Sequence, residues 1–310
     1  MRNNGLDVLR AFAVLMVLGK HAAWPVADAW GDLWFMGGWA GVDLFFVLSG
    51  FLVSGLLFDR PEWKRFLVRR AWKIYPAFWF FMFVTVWVQR PGLVPTLHEL
   101  LFIQNYGERV WLHSWSLAVE EHFYLLLPPV LLLVRRWDYK PLPWIVGGIV
   151  LACTLGRLLS PDWESNRSQT HLRIDTLWLG VLARYFYNRN RQWVSLLAGP
   201  LFAIGTVVLG SAFVTPMTGP LGTLVVALGS VALVLGSMEL DFNSGMSRAI
   251  AYVGRHSYSI YLWHAPVLFW IALRYNTTVL TYMVVSVLIG ITMSTLIETP
   301  TLRLRERFAR

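Results

Sequence analysis

Mostly apolar stretches of about 17 to 20 residues recur from one end of the chain to the other, and a helix of that length crosses a hydrocarbon layer of roughly 30 Å. Ten fit, near residues 6–24, 39–58, 74–90, 116–134, 142–159, 173–187, 193–210, 220–238, 256–272 and 279–297. Of the 310 residues 56% are apolar, 15% are charged and 17 are Trp. A soluble domain of this length carries more charge on its surface, so the apolar surplus calls for a lipid-facing exterior. No alternation of period two runs through the stretches, which argues against a membrane β-barrel. Connections are short and leave no room for a soluble domain. The expectation is an all-α integral membrane protein with about ten transmembrane helices, a single domain spanning residues 1–310.

A net charge of +9 would suit nucleic acid, but the placement of the basic residues suggests another origin. With both termini cytoplasmic, the inner side takes Arg2, Arg10, the six of residues 60–73, Arg135, Arg136, Lys140, Arg184, Arg189, Arg191, Arg248, Arg255 and four C-terminal Arg, which is 20 of 27. That bias follows the positive-inside rule and predicts an inner-membrane protein with no nucleic-acid partner. The single cysteine, Cys153, excludes an intramolecular disulfide and a cysteine metal site. Ala27-Asp28-Ala29 resembles a signal cleavage site, yet Asp7, Arg10, Lys20 and His21 in or beside the preceding apolar run favour a retained first helix. Phosphate-binding loops, a dinucleotide glycine fingerprint and histidines at metal spacing are all absent from the sequence, so no metal is expected.

Chemistry therefore has to come from polar residues inside the apolar stretches, where a charge costs about 2.5–3.5 kcal/mol unless it has a partner or a task. Arg10 and His21 lie eleven residues apart, about three turns plus 20°, and so share one helix face some 16 Å apart along the axis. One face thus offers a cation toward the cytosol and an imidazole toward the exterior. Arg10 also reads as an ion pair with Asp7 or Glu298, and His21 as an interfacial histidine near Trp24. Asp43 and Glu120 fall in the same outer layer as His21, and a carboxylate that orients an imidazole makes a general base for a hydroxyl. Asp43 reads equally as the N-cap of its helix, and Glu120, beside Glu121 and His122, as a locally paired rim. Arg69, Arg70 and Lys73, nearest the membrane in the basic segment, suit phosphate groups as well as positive-inside topology. Arg173 and Asp175 at the outer start of the sixth stretch, and His264 in the ninth, are further candidates to line a cavity. Arg173 equally suits an interfacial cation, and His264 a packed side chain.

Several segments resemble one known family in order along the chain. They are Leu9-Arg10-Ala11-Phe12 with His21, Gly41-Val42-Asp43-Leu44-Phe45-Phe46-Val47-Leu48-Ser49-Gly50-Phe51, and Arg69-Arg70-Ala71-Trp72-Lys73-Ile74-Tyr75-Pro76. Trp115-Ser116-Leu117-Ala118-Val119-Glu120-Glu121-His122-Phe123-Tyr124, Tyr258-Ser259-Ile260-Tyr261-Leu262-Trp263-His264 and Glu298-Thr299-Pro300 complete the series. The chain resembles the acyltransferase-3 family of membrane acyltransferases, with Lys73 where Arg is more usual and His122 where Gln is common. Lys73 keeps a point charge but not bidentate geometry.

The resemblance implies an O-acyltransferase that takes an acyl group, usually acetyl, from cytoplasmic acyl-CoA and passes it to a carbohydrate or glycolipid. Some relatives add an extracytoplasmic hydrolase-like domain, for which this chain has no room. His21, Arg10, Asp43 and Glu120 become the expected catalytic set, His21 as general base or as transient carrier of the acyl group, with Arg10, Arg69, Arg70 and Lys73 holding the CoA phosphates. Trp115, Ser116, Arg173, Asp175 and His264 are expected to meet the acceptor, together with the loops at 25–38, 91–114 and 160–172. The lipid bilayer is the other partner, and association between copies of the chain stays open. Other readings are a proton-coupled transporter of a small anion or glycan, or acylation of a lipid or antibiotic-like molecule.

Overall fold

The computed structural model describes residues 3–22, 31–275 and 277–308, and every regular element among them is a helix. The first group is α1 (Asn4–Ala22), α2 (Gly31–Gly37), α3 (Ala40–Asp59), α4 (Trp63–Gln89) and α5 (Leu93–Leu100). There follow α6 (Trp115–Arg135), α7 (Leu142–Leu159), α8 (Trp163–Asn166), α9 (Thr170–Arg189), α10 (Arg191–Leu196) and α11 (Ala198–Ser211). The chain ends in α12 (Pro220–Ser237), α13 (Gly245–Arg255), α14 (Ser257–Val267), α15 (Val279–Met293) and α16 (Thr299–Phe308). Arg2, Trp24, the Ala27-Asp28-Ala29 segment and Arg310 lie outside the described residues.

Six helices are long and apolar enough to cross a membrane, over Trp34–Asp59, Trp63–Gln89, Leu112–Arg135, Leu142–Leu159, Pro220–Ser237 and Val279–Arg305. The other four expected stretches are helical too, and each differs for a local reason. α1 carries Asp7, Arg10 and Lys20, and α9 carries Arg173, Asp175 and Arg184, so charges interrupt the apolar run of each. The stretch at 193–210 breaks at Leu197 between α10 and α11. Pro200 lacks an N–H, and its ring crowds the carbonyl four residues back, so one continuous helix is disfavoured there. α14 contains Pro266 and passes into a single π-helical turn at Leu268–Ala272. A wider turn of this kind re-satisfies backbone groups that a proline leaves without partners.

α1 and α3 form the centre. Ala11, Ala13, Val14 and Leu18 of α1 and Leu44, Phe46, Val47 and Phe51 of α3 are buried. The periphery is apolar and exposed, as in Trp144 and Leu151 of α7, Phe83 and Trp87 of α4, and Leu280 and Leu288 of α15. Lipid tails are as apolar as these side chains, so helix association in a bilayer depends on close backbone approach and polar contacts more than on expelling water. α3 and α9 show the approach. A Cβ placed on Gly50 would stand 2.0 Å from the Leu177 carbonyl oxygen, and one on Gly180 would stand 2.3 Å from that of Val47.

Candidate functional site

Two cavities lie along α1. The inner one, about 100 Å³, takes Arg10 from α1, Ser49 from α3, Arg70 and Lys73 from α4, Glu120 from α6 and Arg255 from α13. The outer one, about 530 Å³, takes His21 from α1, His113 from the short turn before α6, Trp115 from the start of α6, and Arg173 from α9. Val42 and Tyr261 line both. Tyr261 is pinned where the cavities meet: its hydroxyl donates to the His113 carbonyl at 2.7 Å and stands 2.5 Å from Ser116 Oγ. With its one proton committed to that carbonyl, the phenol oxygen accepts from the serine.

The helical period sorts the basic segment. Arg70 and Lys73, three residues apart, share a face of α4 and reach the inner cavity. Arg69 is turned about 100° from Arg70 and lines a separate surface pocket with Asp59, Arg60 and Glu62. Among the described residues, four cations thus border a cavity whose one acid is Glu120. Behind the cavity, Asp7 meets Arg10 at 3.2 Å and Arg255 at 3.6 Å. Glu120 accepts from the Tyr124 hydroxyl at 3.0 Å, and Ser49 in turn lies 2.7 Å from that hydroxyl. The Arg70 guanidinium sits 5.4 Å from the Tyr124 ring centre, a cation–π distance.

The outer cavity is built around imidazoles. His264 is buried, its Nδ1 against the Tyr261 carbonyl and its Nε2 3.1 Å from His21 Nδ1. A carbonyl only accepts, so a neutral His264 carries its proton on Nδ1 and offers a lone pair at Nε2. His21 Nδ1–H then donates to that lone pair, and the basic electron pair of His21 is left on Nε2. The expectation that a carboxylate orients His21 has a different outcome. Asp43 is 2.8 Å from Arg173 and accepts from Thr176, while Glu120 belongs to the inner cavity.

Among the described residues two ion pairs are buried on both sides, Asp43–Arg173 between α3 and α9 and Asp175–Arg157 between α9 and α7, the latter at 2.8 Å. Arg173 still borders the outer cavity, 5.6 Å from the Trp115 ring centre. Asp175 is absorbed by Arg157 and lines neither cavity. Trp115 faces outward, whereas Ser116, one residue on, faces the inner cavity.

Two site residues escaped sequence reasoning. His113 is 1% exposed, lines the outer cavity, and stands edge-on to His264 with ring centres 4.6 Å apart and 6.5 Å from His21. Neither of its nitrogens reaches a partner at hydrogen-bonding geometry. The Leu262 carbonyl, deprived of its helical N–H partner by Pro266, interacts with the ring. A lone histidine two positions ahead of Trp115 was the available signal. Arg255 was read as topology, because nothing local shows that α13 packs on α1, where a Cβ on Gly254 would stand 1.7 Å from the Asp7 carbonyl oxygen. Among the described residues, no group of three or more His, Cys, Asp or Glu is arranged to hold a metal ion.

The profile of a family described as an acyltransferase domain matches residues 3–299. A peptidoglycan O-acetyltransferase of Listeria monocytogenes is 28% identical over 85% of this chain and 49% of its own length. A putative peptidoglycan O-acetyltransferase of Bacillus subtilis is 30% identical over 85% of the chain and 48% of its own, and a putative O-acetyltransferase of Staphylococcus aureus is 26% identical over 85% and 50%. The chain spans about half the length of these curated relatives. No solved structure matches it. Together with the helical architecture and the motif residues gathered around two cavities, the match over almost the whole chain means that this multi-pass membrane protein belongs to the acyltransferase-3 family.

Proposed function

We propose that the chain transfers an acyl group, acetyl in the first instance, from cytoplasmic acyl-CoA to a carbohydrate hydroxyl on the far side of a bacterial inner membrane. The observation that carries this reading is the pair of cavities that share Val42 and Tyr261, cations bordering one and a basic imidazole nitrogen bordering the other. Peptidoglycan, the acceptor in the names of two relatives, is the first carbohydrate to try. The reading includes about ten passes in a single domain with both termini in the cytosol, so that Arg10, Arg70 and Lys73 face the CoA pool.

Arg10, Arg70, Lys73 and Arg255 hold the phosphates of the donor, with charge-assisted bonds that a lipid-screened site strengthens. The thioester then reaches past Tyr261 to His21. His21 Nε2 takes the proton of the acceptor hydroxyl, whose oxygen attacks the thioester carbonyl carbon. The C–S bond breaks, and the imidazolium returns its proton to the departing thiolate. His264 does for His21 what a carboxylate does elsewhere, fixing the tautomer through Nδ1, but as a neutral group that costs less to bury.

Full-length protein in nanodiscs, given acetyl-CoA radiolabelled in the acetyl group and soluble peptidoglycan fragments, tests this. Label should move to the glycan in wild-type protein and not in the His21→Ala variant. Transfer that persists without His21 would remove the proposed base. Acceptor-independent flux of label across a sealed liposome would replace catalysis by transport.

A further inference from the structure

The wall of the outer cavity is mixed in character. Its polar lining includes the cations Lys20, Arg109 and Arg167, together with the acid Glu164. Its apolar lining includes Leu112, Phe269 and Leu273, which line the cavity while remaining 71%, 51% and 37% exposed. Large apolar side chains exposed on a membrane protein of this kind face lipid, as they do along α7 and α15. These three do both, so the cavity has an exposed apolar lip between the 108–114 segment and the π-turn after α14, in addition to its polar rim. Arg109 and Leu112 sit three residues apart on that segment. The same segment thus brings both a cation and an apolar side chain to the cavity wall, a combination that suits a ligand whose anionic group is joined directly to a hydrocarbon chain.

Beyond the lip the cavity continues past Trp111, Trp115 and Trp39 to His21. Its volume of about 530 Å³ lies within the usual range for small-molecule sites, roughly 300–1,000 Å³. Tryptophan faces are the common stacking surface for a ring with one apolar side. A phospholipid has no group to occupy the tryptophan-lined interior, and a water-borne polymer gains nothing from Leu112, Phe269 and Leu273. We infer that the acceptor enters from the bilayer as a glycan linked through phosphate to a long polyprenyl chain. The chain lies on the apolar lip, the phosphate on Arg109 and Arg167, and the sugar against the tryptophans with a hydroxyl at His21. This rests on the acyltransferase reading above, and specifies which form of carbohydrate is acylated.

The test reconstitutes the full chain in liposomes with a trace of polyprenyl phosphate bearing a photoactivatable group, and maps the adducts by mass spectrometry. Adducts are expected in residues 108–115 and 265–275. Unlabelled polyprenyl phosphate should compete and phosphatidylglycerol should not. The Leu112→Ser/Phe269→Ser double variant, and Arg167→Gln separately, should each lower the yield there at least about fivefold, as truncation of an anchor worth about 1 kcal/mol does. Labelling along α7 near Leu151 serves as the internal reference, so a misfolded variant shows itself by changing both. Adducts spread evenly over the lipid-facing belt, or displaced equally by phosphatidylglycerol, overturn the inference. In the same liposomes, acetyl transfer to free glycan without labelling at the lip overturns it while sparing the acyltransferase reading. Labelling at the lip with no acetyl transfer to any glycan does the reverse.

Discussion

The inner cavity and the ion-pair layer behind the outer one handle buried charge in opposite ways. Behind the outer cavity each charge has its own counter-charge, Asp43 with Arg173 and Asp175 with Arg157. Around the inner cavity Arg10, Arg70, Lys73 and Arg255 outnumber Asp7 and Glu120, and space is left open. In a bilayer a charge persists where it is paired or where it borders a cavity with a task. On the reading proposed above, the paired layer is scaffold and the cation-rich cavity receives an anion that comes and goes.

Substitutions on the two sides should therefore fail differently. His21→Ala should have the largest effect, lowering acyl transfer by about 10³-fold or more while the thermal unfolding midpoint in detergent stays near that of the parent. Asp43→Ala should instead strand the Arg173 charge and cost about 3–5 kcal/mol of stability, seen as a lower unfolding midpoint, with Asp43→Ala/Arg173→Leu recovering part of the loss. A drop in activity without any loss of stability would move Asp43 from scaffold to chemistry. His264→Leu removes the group that fixes the His21 tautomer and should lower kcat about 10²-fold, with little change in KM for acetyl-CoA. Arg70→Gln should do the converse, raising that KM about tenfold, the cost of one charged hydrogen bond, with kcat nearly preserved. Arg69→Gln, on the outer surface of the same helix, should change either constant by less than about twofold. Equal effects at Arg69 and Arg70 would break the distinction that the helix face draws.

Much of the architecture is legible in the sequence because apolar length is a local property. The bounds of α3, α6, α7 and α12 lie within two residues of the stretches read for them. Near Pro200 the helix breaks and after Pro266 it widens into a π-turn, while the apolar run continues through both, so periodicity alone passes over them. In the site, the eleven-residue spacing is enough to put Arg10 and His21 on one face, and they border the two cavities in that order. Partnership is another matter. Asp43 meets Arg173 across 130 positions of sequence, and His264 reaches His21 across 243. Such pairs form through the packing of α3 on α9 and of α1 on α14, which no local pattern encodes. The family motifs nevertheless contain Asp43, Tyr261 and His264. Their side chains were in view before their roles were.

Tyr261 belongs to both walls at once, so the partition between the two compartments is a single layer of side chains. On the topology proposed above, one phenol ring and the valine beside it stand between the cytosolic and the outer compartment. Widening that spot would cost the host cell more than a slowed reaction, since protons and small ions would find a route past the membrane. The ring is held from two directions by hydroxyl and carbonyl partners, and a seal this thin depends on that hold.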